Sequence, residues 1–163
     1  MLKLSVLEIF LRLIPESLIL ILAAYAFSGK SINKINFFVS TILISIATYL
    51  VRMLPIHFGV HTIILLIIYV LITVNINKIN IIKATSAGLT SATILFICEW
   101  INVFIITDLL KFNIENMLKN DLLKVVYGIP SIVLFALIIF AIWRRSLYLG
   151  KAGRDVSNRE NIK

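Results

Sequence analysis

Apolar residues in this chain run in long unbroken stretches, with neither strict alternation nor a repeating polar stripe. Five such blocks cover about 4–27, 35–54, 60–74, 84–106 and 122–143. A helix crossing the roughly 30 Å hydrocarbon core needs about 20 mainly apolar residues. In lipid, every backbone amide must find its partner inside a helix or a closed barrel. The pattern predicts an all-α polytopic membrane protein: about five transmembrane helices in one bundle over 1–143, then a basic tail over 144–163. The third block has the shortest apolar core and reads as a full span or as a re-entrant segment.

The breaks between blocks carry their own signals. Ser28-Gly29-Lys30-Ser31 and Asn33-Lys34 end the first block. Leu54-Pro55 through Gly59 ends the second, since proline disfavours helix at the residue before it. Asn75, Asn77, Lys78 and Asn80 interrupt the chain before the fourth block. The widest gap, Thr107 to Asp121, holds Asp108, Lys111, Glu115, Lys119 and Asp121. The first block differs from a cleaved signal peptide, because Glu8 and Arg12 interrupt it and no small-x-small cleavage site follows it.

Composition agrees with the pattern. The chain is 60% apolar and 15% charged, with a mean hydropathy of +1.02, against about 45–50% and about 25% in soluble domains. A water-soluble globule and an intrinsically disordered chain are both excluded. A single cysteine, Cys98, rules out an intrachain disulfide.

Charge sets an orientation. With five spans, Lys3, Arg52, Lys111, Lys119 and Lys124 fall on one side. Lys30, Lys34, Lys78, Lys83, Arg144, Arg145, Lys151, Arg154, Arg159 and Lys163 fall on the other. The positive-inside rule then places the C-terminus in the cytoplasm and the N-terminus outside. The same basic residues attract anionic inner-leaflet lipids. Because they are split among separate loops, they do not form a nucleic-acid surface.

Ionisable groups within spans are expensive and face a bundle interior or a wet cavity. Glu8, Arg12 and Glu16 recur at steps of four on one face of the first span, with Pro15 expected to loosen that turn. Arg52 closes the second span, and Glu99 with Asn102 lies in the fourth. In the predicted topology all of these gather in one layer near the outer face, with His57 and His61 in the adjoining outer connection. They read as lining a ligand-binding pocket or as an intramembrane polar lock. As a lock, Glu8, Arg12 and Glu16 pair along one helix and Arg52 pairs with Glu99. His57-x-x-x-His61 lacks the Glu of the HExxH zinc motif and an evident third ligand, so no metal site is expected. Ala84, Gly88 and Ala92, at steps of four, suit close helix packing, either within the bundle or in a homodimer. No Walker A loop, GxGxxG, GxSxG or HExxH is present, so neither a cofactor nor catalysis is expected.

Four stretches carry a resemblance: LRLIPESLILILAAYAF from Leu11, YLVRMLPIHFGVHTII from Tyr49, ICEWINVFII from Ile97 and VYGIPSIVLFALII from Val126. In this order they resemble the multi-span sensor region of clostridial GHKL-type histidine kinases, related in organisation to the accessory-gene-regulator peptide receptors. The resemblance implies an external or membrane-embedded signal and an output helix after the last span. It departs from that family where about twenty residues follow Trp143, too few for a kinase domain. Three readings follow. The first is a stand-alone sensor-like membrane protein acting through a separate cytoplasmic or membrane signalling protein. The second is a small transporter or its accessory subunit. The third is an intramembrane peptide-processing enzyme using Cys98 or His57.

Overall fold

The computed structural model describes residues 9–54, 58–109 and 121–160, and every element among them is helical. A π-helical turn, Ile9–Leu13, leads into α1 (Ile14–Ser28). It is followed by α2 (Lys34–Met53), α3 (Phe58–Asn75) and α4 (Ile81–Phe104). A second π-helical turn, Ile105–Leu109, extends α4, and α5 spans Asp121–Glu160.

Local chemistry sets these boundaries. Pro15 sits at the junction of the π-helical turn and α1, where it has no N–H to bond back to the preceding turn. Gly29 closes α1 in the left-handed conformation (φ 68°), its N–H bonding to the Tyr25 carbonyl at 3.0 Å. Asn33 caps α2 by accepting from the N–H groups of Ile35 and Asn36, and Asn80 caps α4 by accepting from that of Ile82.

Among the described residues, four helical stretches are long and apolar enough to cross a membrane: Leu11–Ser28, Lys34–Met53, Ile81–Asp108 and Val125–Ser146. The third block forms the shorter apolar helix Gly59–Asn75, about 26 Å long at 1.5 Å per residue. The α5 helix continues from its apolar stretch through 144–160 without interruption.

α1 is the centre of the bundle. It packs against α2, α4 and α5, while α2–α3, α3–α4 and α4–α5 complete an arc around it. A helix apolar all round belongs in an interior, and α1 buries Ile21, Ala23, Ala24, Tyr25 and Ala26 almost completely. Its alanines let the neighbouring helices approach. Ile21, Ala24 and Tyr25 meet Ile44, Tyr69 and Ala84 on one side. Ala23 meets Cys98, Phe135 and Ile139 on the other.

The α2 helix is inverted relative to a soluble amphipathic helix. Ser40, Thr41, Ser45 and Thr48 face inward, whereas Phe38, Ile42, Ile46 and Leu50 face outward. The inward hydroxyls of Thr41, Ser45 and Thr48 each bond to the carbonyl four residues back, at 2.8–2.9 Å. Outward apolar side chains continue on α4 with Phe96 and Trp100 and on α5 with Leu137 and Phe140. Water would not tolerate so much contiguous exposed hydrocarbon, whereas lipid does. By length and hydropathy these helices are consistent with a multi-pass membrane protein.

Candidate functional site

Two polar layers bracket the bundle. Arg12 Nη2 donates to Glu99 Oε1 at 2.6 Å, fixing α1 to α4 at one end. At the other end, Lys83 Nζ on α4 donates to the Ser28 carbonyl of α1 at 3.2 Å. Sixteen residues separate Arg12 from Ser28 and Lys83 from Glu99. The two helices therefore run antiparallel in matched register, with the layers about 24 Å apart.

The first layer gathers Arg12, Glu16, Arg52, Glu99 and Asn102, which the sequence scatters over three spans. Glu16, nine-tenths buried, approaches Arg52 Nη2 at 3.6 Å and lies within the field of Arg12 and Glu99 as well. Asn102 Nδ2 donates to the Tyr127 carbonyl at 2.7 Å. Arg12 also lies over Gly128, its Nη1 about one van der Waals contact (3.5 Å) from where a Cβ would stand. Gly128 leaves room for the guanidinium against α5.

These contacts fall in the first turns of α5, just before Pro130. Pro130 has no N–H for the Val126 carbonyl. Of the next two carbonyls in that turn, Asn102 occupies that of Tyr127, and Ser131 Oγ occupies that of Gly128 at 2.8 Å.

The pairing differs from the expected lock. Arg12 bonds to Glu99 on another helix, not to Glu16 on its own, and Arg52 faces Glu16, not Glu99. The bundle supplies the reason: each of the two side chains has an opposite charge within reach on a facing helix, Glu99 for Arg12 and Arg52 for Glu16. Both ion pairs are thus interhelical, and α1 is tied to α4 by one and to α2 by the other.

Glu8 and His57 lie outside the described residues. His61 is half-buried in the opening turns of α3. Of Ala84, Gly88 and Ala92, the first two pack within the chain. Ala84 is fully buried in the core that includes Tyr69, and Gly88 faces the Tyr69 ring and Leu66 of α3. Ala92, further along, is half-buried. Cys98 is buried in its apolar cluster against Phe135 and Ile139.

The expectation that all unusual polarity collects in one layer is corrected at the opposite end. There Asn77, 2% exposed, accepts from Tyr25 Oη at 2.9 Å and from Ser40 Oγ at 3.1 Å. Lys30 Nζ donates to the carbonyls of Asn77 and Lys78 at 2.9 and 2.8 Å, and Asn36 Nδ2 donates to that of Ile76. The turn between α3 and α4, with Lys78 left-handed (φ 53°), is thereby held on α1 and α2. In the sequence these residues read as a polar break. Nothing local separates the buried Asn77 from the exposed Asn75 and Lys78 beside it.

Asn77→Ala is expected to leave two buried hydroxyls, those of Tyr25 and Ser40, without their acceptor, and to cost about 2 kcal/mol. Thermal unfolding of the purified protein in detergent measures this. Lys30→Met should instead loosen the turn itself, raising amide exchange at 76–79 while leaving exchange near Glu99 unchanged.

Comparison of the chain with models of protein families, with curated proteins and with solved structures finds no match.

Proposed function

We propose that this chain is a non-catalytic membrane protein of sensor type, with five spans, its N-terminus outside and its C-terminus in the cytoplasm. The outer polar layer receives the signal, and α5 carries the response inward to a separate signalling protein. One observation carries this reading. The layer touches α5 twice, through Asn102 at the Tyr127 carbonyl and through Arg12 over Gly128. The same helix then runs without a break beyond the far polar layer, to Glu160. A change in the Arg12–Glu99 contact is therefore applied to a helix whose other end leaves the bilayer.

Three further features support the topology. The third helix packs between α2 and α4 along the bundle. Its length of about 26 Å approaches the roughly 30 Å core. Lys30, Lys78 and Lys83 share one end through their contacts with the two connections there, as the positive-inside rule requires of a cytoplasmic face. The resemblance to histidine-kinase sensor regions agrees with this plan.

A membrane pull-down through a C-terminal tag tests the proposal. A signalling protein should be recovered with the unmutated chain, and Asn102→Ala, which releases α5 from the layer, should change that recovery. Purified protein that moves solute across liposomes, with no partner recovered, would overturn the sensor reading in favour of transport.

A further inference from the structure

The charged layer has hydrogen-bonding capacity left over. Each guanidinium offers five N–H donors and each carboxylate about four acceptor sites. Among the described residues, Arg12, Glu16, Arg52 and Glu99 make one side-chain hydrogen bond with each other, Arg12 to Glu99. Two atoms are sealed from solvent without a hydrogen-bond partner: the donor Arg12 Nε and the acceptor Glu16 Oε2. Glu16 is 8% exposed, and its 3.6 Å approach to Arg52 is too long for a direct hydrogen bond.

No guest atom can touch those two sealed atoms, so a guest meets the quartet through its accessible parts, 29% of Arg12, 31% of Arg52, 40% of Glu99 and 10% of Glu16, and charge and depth narrow its chemistry. Among the described residues the layer's four side chains carry two positive and two negative charges, so beside them a guest with a net charge would add an uncompensated charge in the membrane. A guest that offers oxygen acceptors and N–H donors together, with no net charge, fits. The layer stands about 24 Å from the opposite polar layer, within a few ångströms of the edge of a roughly 30 Å core, where lipid head groups begin. It also opens sideways. The side chains of Arg12 and Glu99 are 29% and 40% accessible, and Trp100 beside Glu99 is exposed on the flank of α4.

We propose that this quartet binds a zwitterionic head group bearing a primary ammonium, as in phosphoethanolamine. Its phosphate oxygens accept from Arg12 and Arg52, and its ammonium donates to Glu16 and Glu99. A bilayer lipid and a free zwitterion both offer this chemistry. A trimethylammonium head group has the same charges but no N–H to donate, and a phosphoglycerol head group lacks the cation. The inference rests on reading the layer as the signal-receiving site.

The full chain carrying Trp143→Phe retains Trp100 as its one tryptophan. In detergent micelles this protein is titrated with phospholipids brominated on matched acyl chains, and Trp100 fluorescence is followed. Brominated phosphatidylethanolamine should quench at about tenfold lower concentration than phosphatidylcholine or phosphatidylglycerol, the size of one charge-assisted hydrogen bond. Glu16→Gln or Arg52→Gln in the same background should erase the preference. Displacement of the brominated lipid by soluble glycerophosphoethanolamine identifies the free zwitterion as the source, and no displacement identifies the lipid; either supports the site. Equal quenching by all three lipids in the Trp143→Phe protein would overturn the proposal without relying on any charge variant folding. So would a preference that survives both charge substitutions. The titration reads binding alone, so its failure with partner recovery intact leaves the proposed function standing.

Discussion

Gly88→Val is expected to destabilise the bundle by about 1–3 kcal/mol or more, seen as a clear fall in unfolding temperature and in detergent-extracted yield. A Cβ at Gly88 would stand 2.9 Å from two Tyr69 ring carbons and 3.0 Å from Leu66 Cδ1. The Tyr69 ring is not free to swing aside. It is 5% exposed, and its hydroxyl donates to the Leu20 carbonyl of α1 at 3.2 Å. Admitting valine therefore breaks that bond or pushes α3 away from α4. Two companions make the test specific. Gly59→Ala places its Cβ where nothing lies within 4 Å and should be nearly neutral. Adding Tyr69→Leu to Gly88→Val should recover part of the loss by removing the ring. A Gly88→Val protein as stable as the unmutated chain would mean that α3 and α4 do not approach this closely.

Arg12→Gln carries the second large effect, a loss of about 2 kcal/mol. Removing one partner of a fully buried pair costs about 3–5 kcal/mol, and this pair is 29% and 40% accessible, so the loss is smaller. It stays well above that of a surface pair because Arg12 serves two carboxylates. It bonds to Glu99 directly and lies in the field of the buried Glu16. Without it, one guanidinium faces two carboxylates within a membrane-spanning layer. Glu99→Gln in the same chain should restore part of the stability, since one carboxylate then faces one guanidinium. Unfolding in detergent at neutral pH measures all three proteins. A Glu99→Gln change that deepens the loss caused by Arg12→Gln would show that Glu99 is held by some other group.

The apolar blocks were enough to read the class of this protein, because the bilayer demands long helices whatever their packing. The depth of the charged residues was legible too, since rise per residue and span direction place Arg12 and Glu99 at one level. Their partners were not. A four-residue spacing allows an Arg12–Glu16 contact, but which partner each charge takes depends on which helix faces it, and spacing does not reveal that. Gly128 shows the same limit. Its role under Arg12 depends on which helix faces α1, and nothing local records that. The cluster at the opposite end was missed for a different reason. Asn77 lies in a polar stretch that looks like an ordinary connection, and its burial arises only when Tyr25 and Ser40 close over it from two other helices. The α2 hydroxyls, by contrast, were readable in principle. Ser40, Thr41, Ser45 and Thr48 share one face at helical spacing within an otherwise apolar span.

A double-mutant cycle in detergent tests most directly whether the charged layer ties α1 to α4. It compares Arg12→Gln with Glu99→Gln and, in parallel, Arg12→Gln with Glu16→Gln, each pair against the unmutated chain. The interhelical bond at 2.6 Å predicts a coupling of about 1 kcal/mol or more for Arg12 with Glu99, and less than half of that for Arg12 with Glu16. A larger coupling to Glu16 than to Glu99 would mean that α1 pairs along itself, and would contradict the interhelical lock.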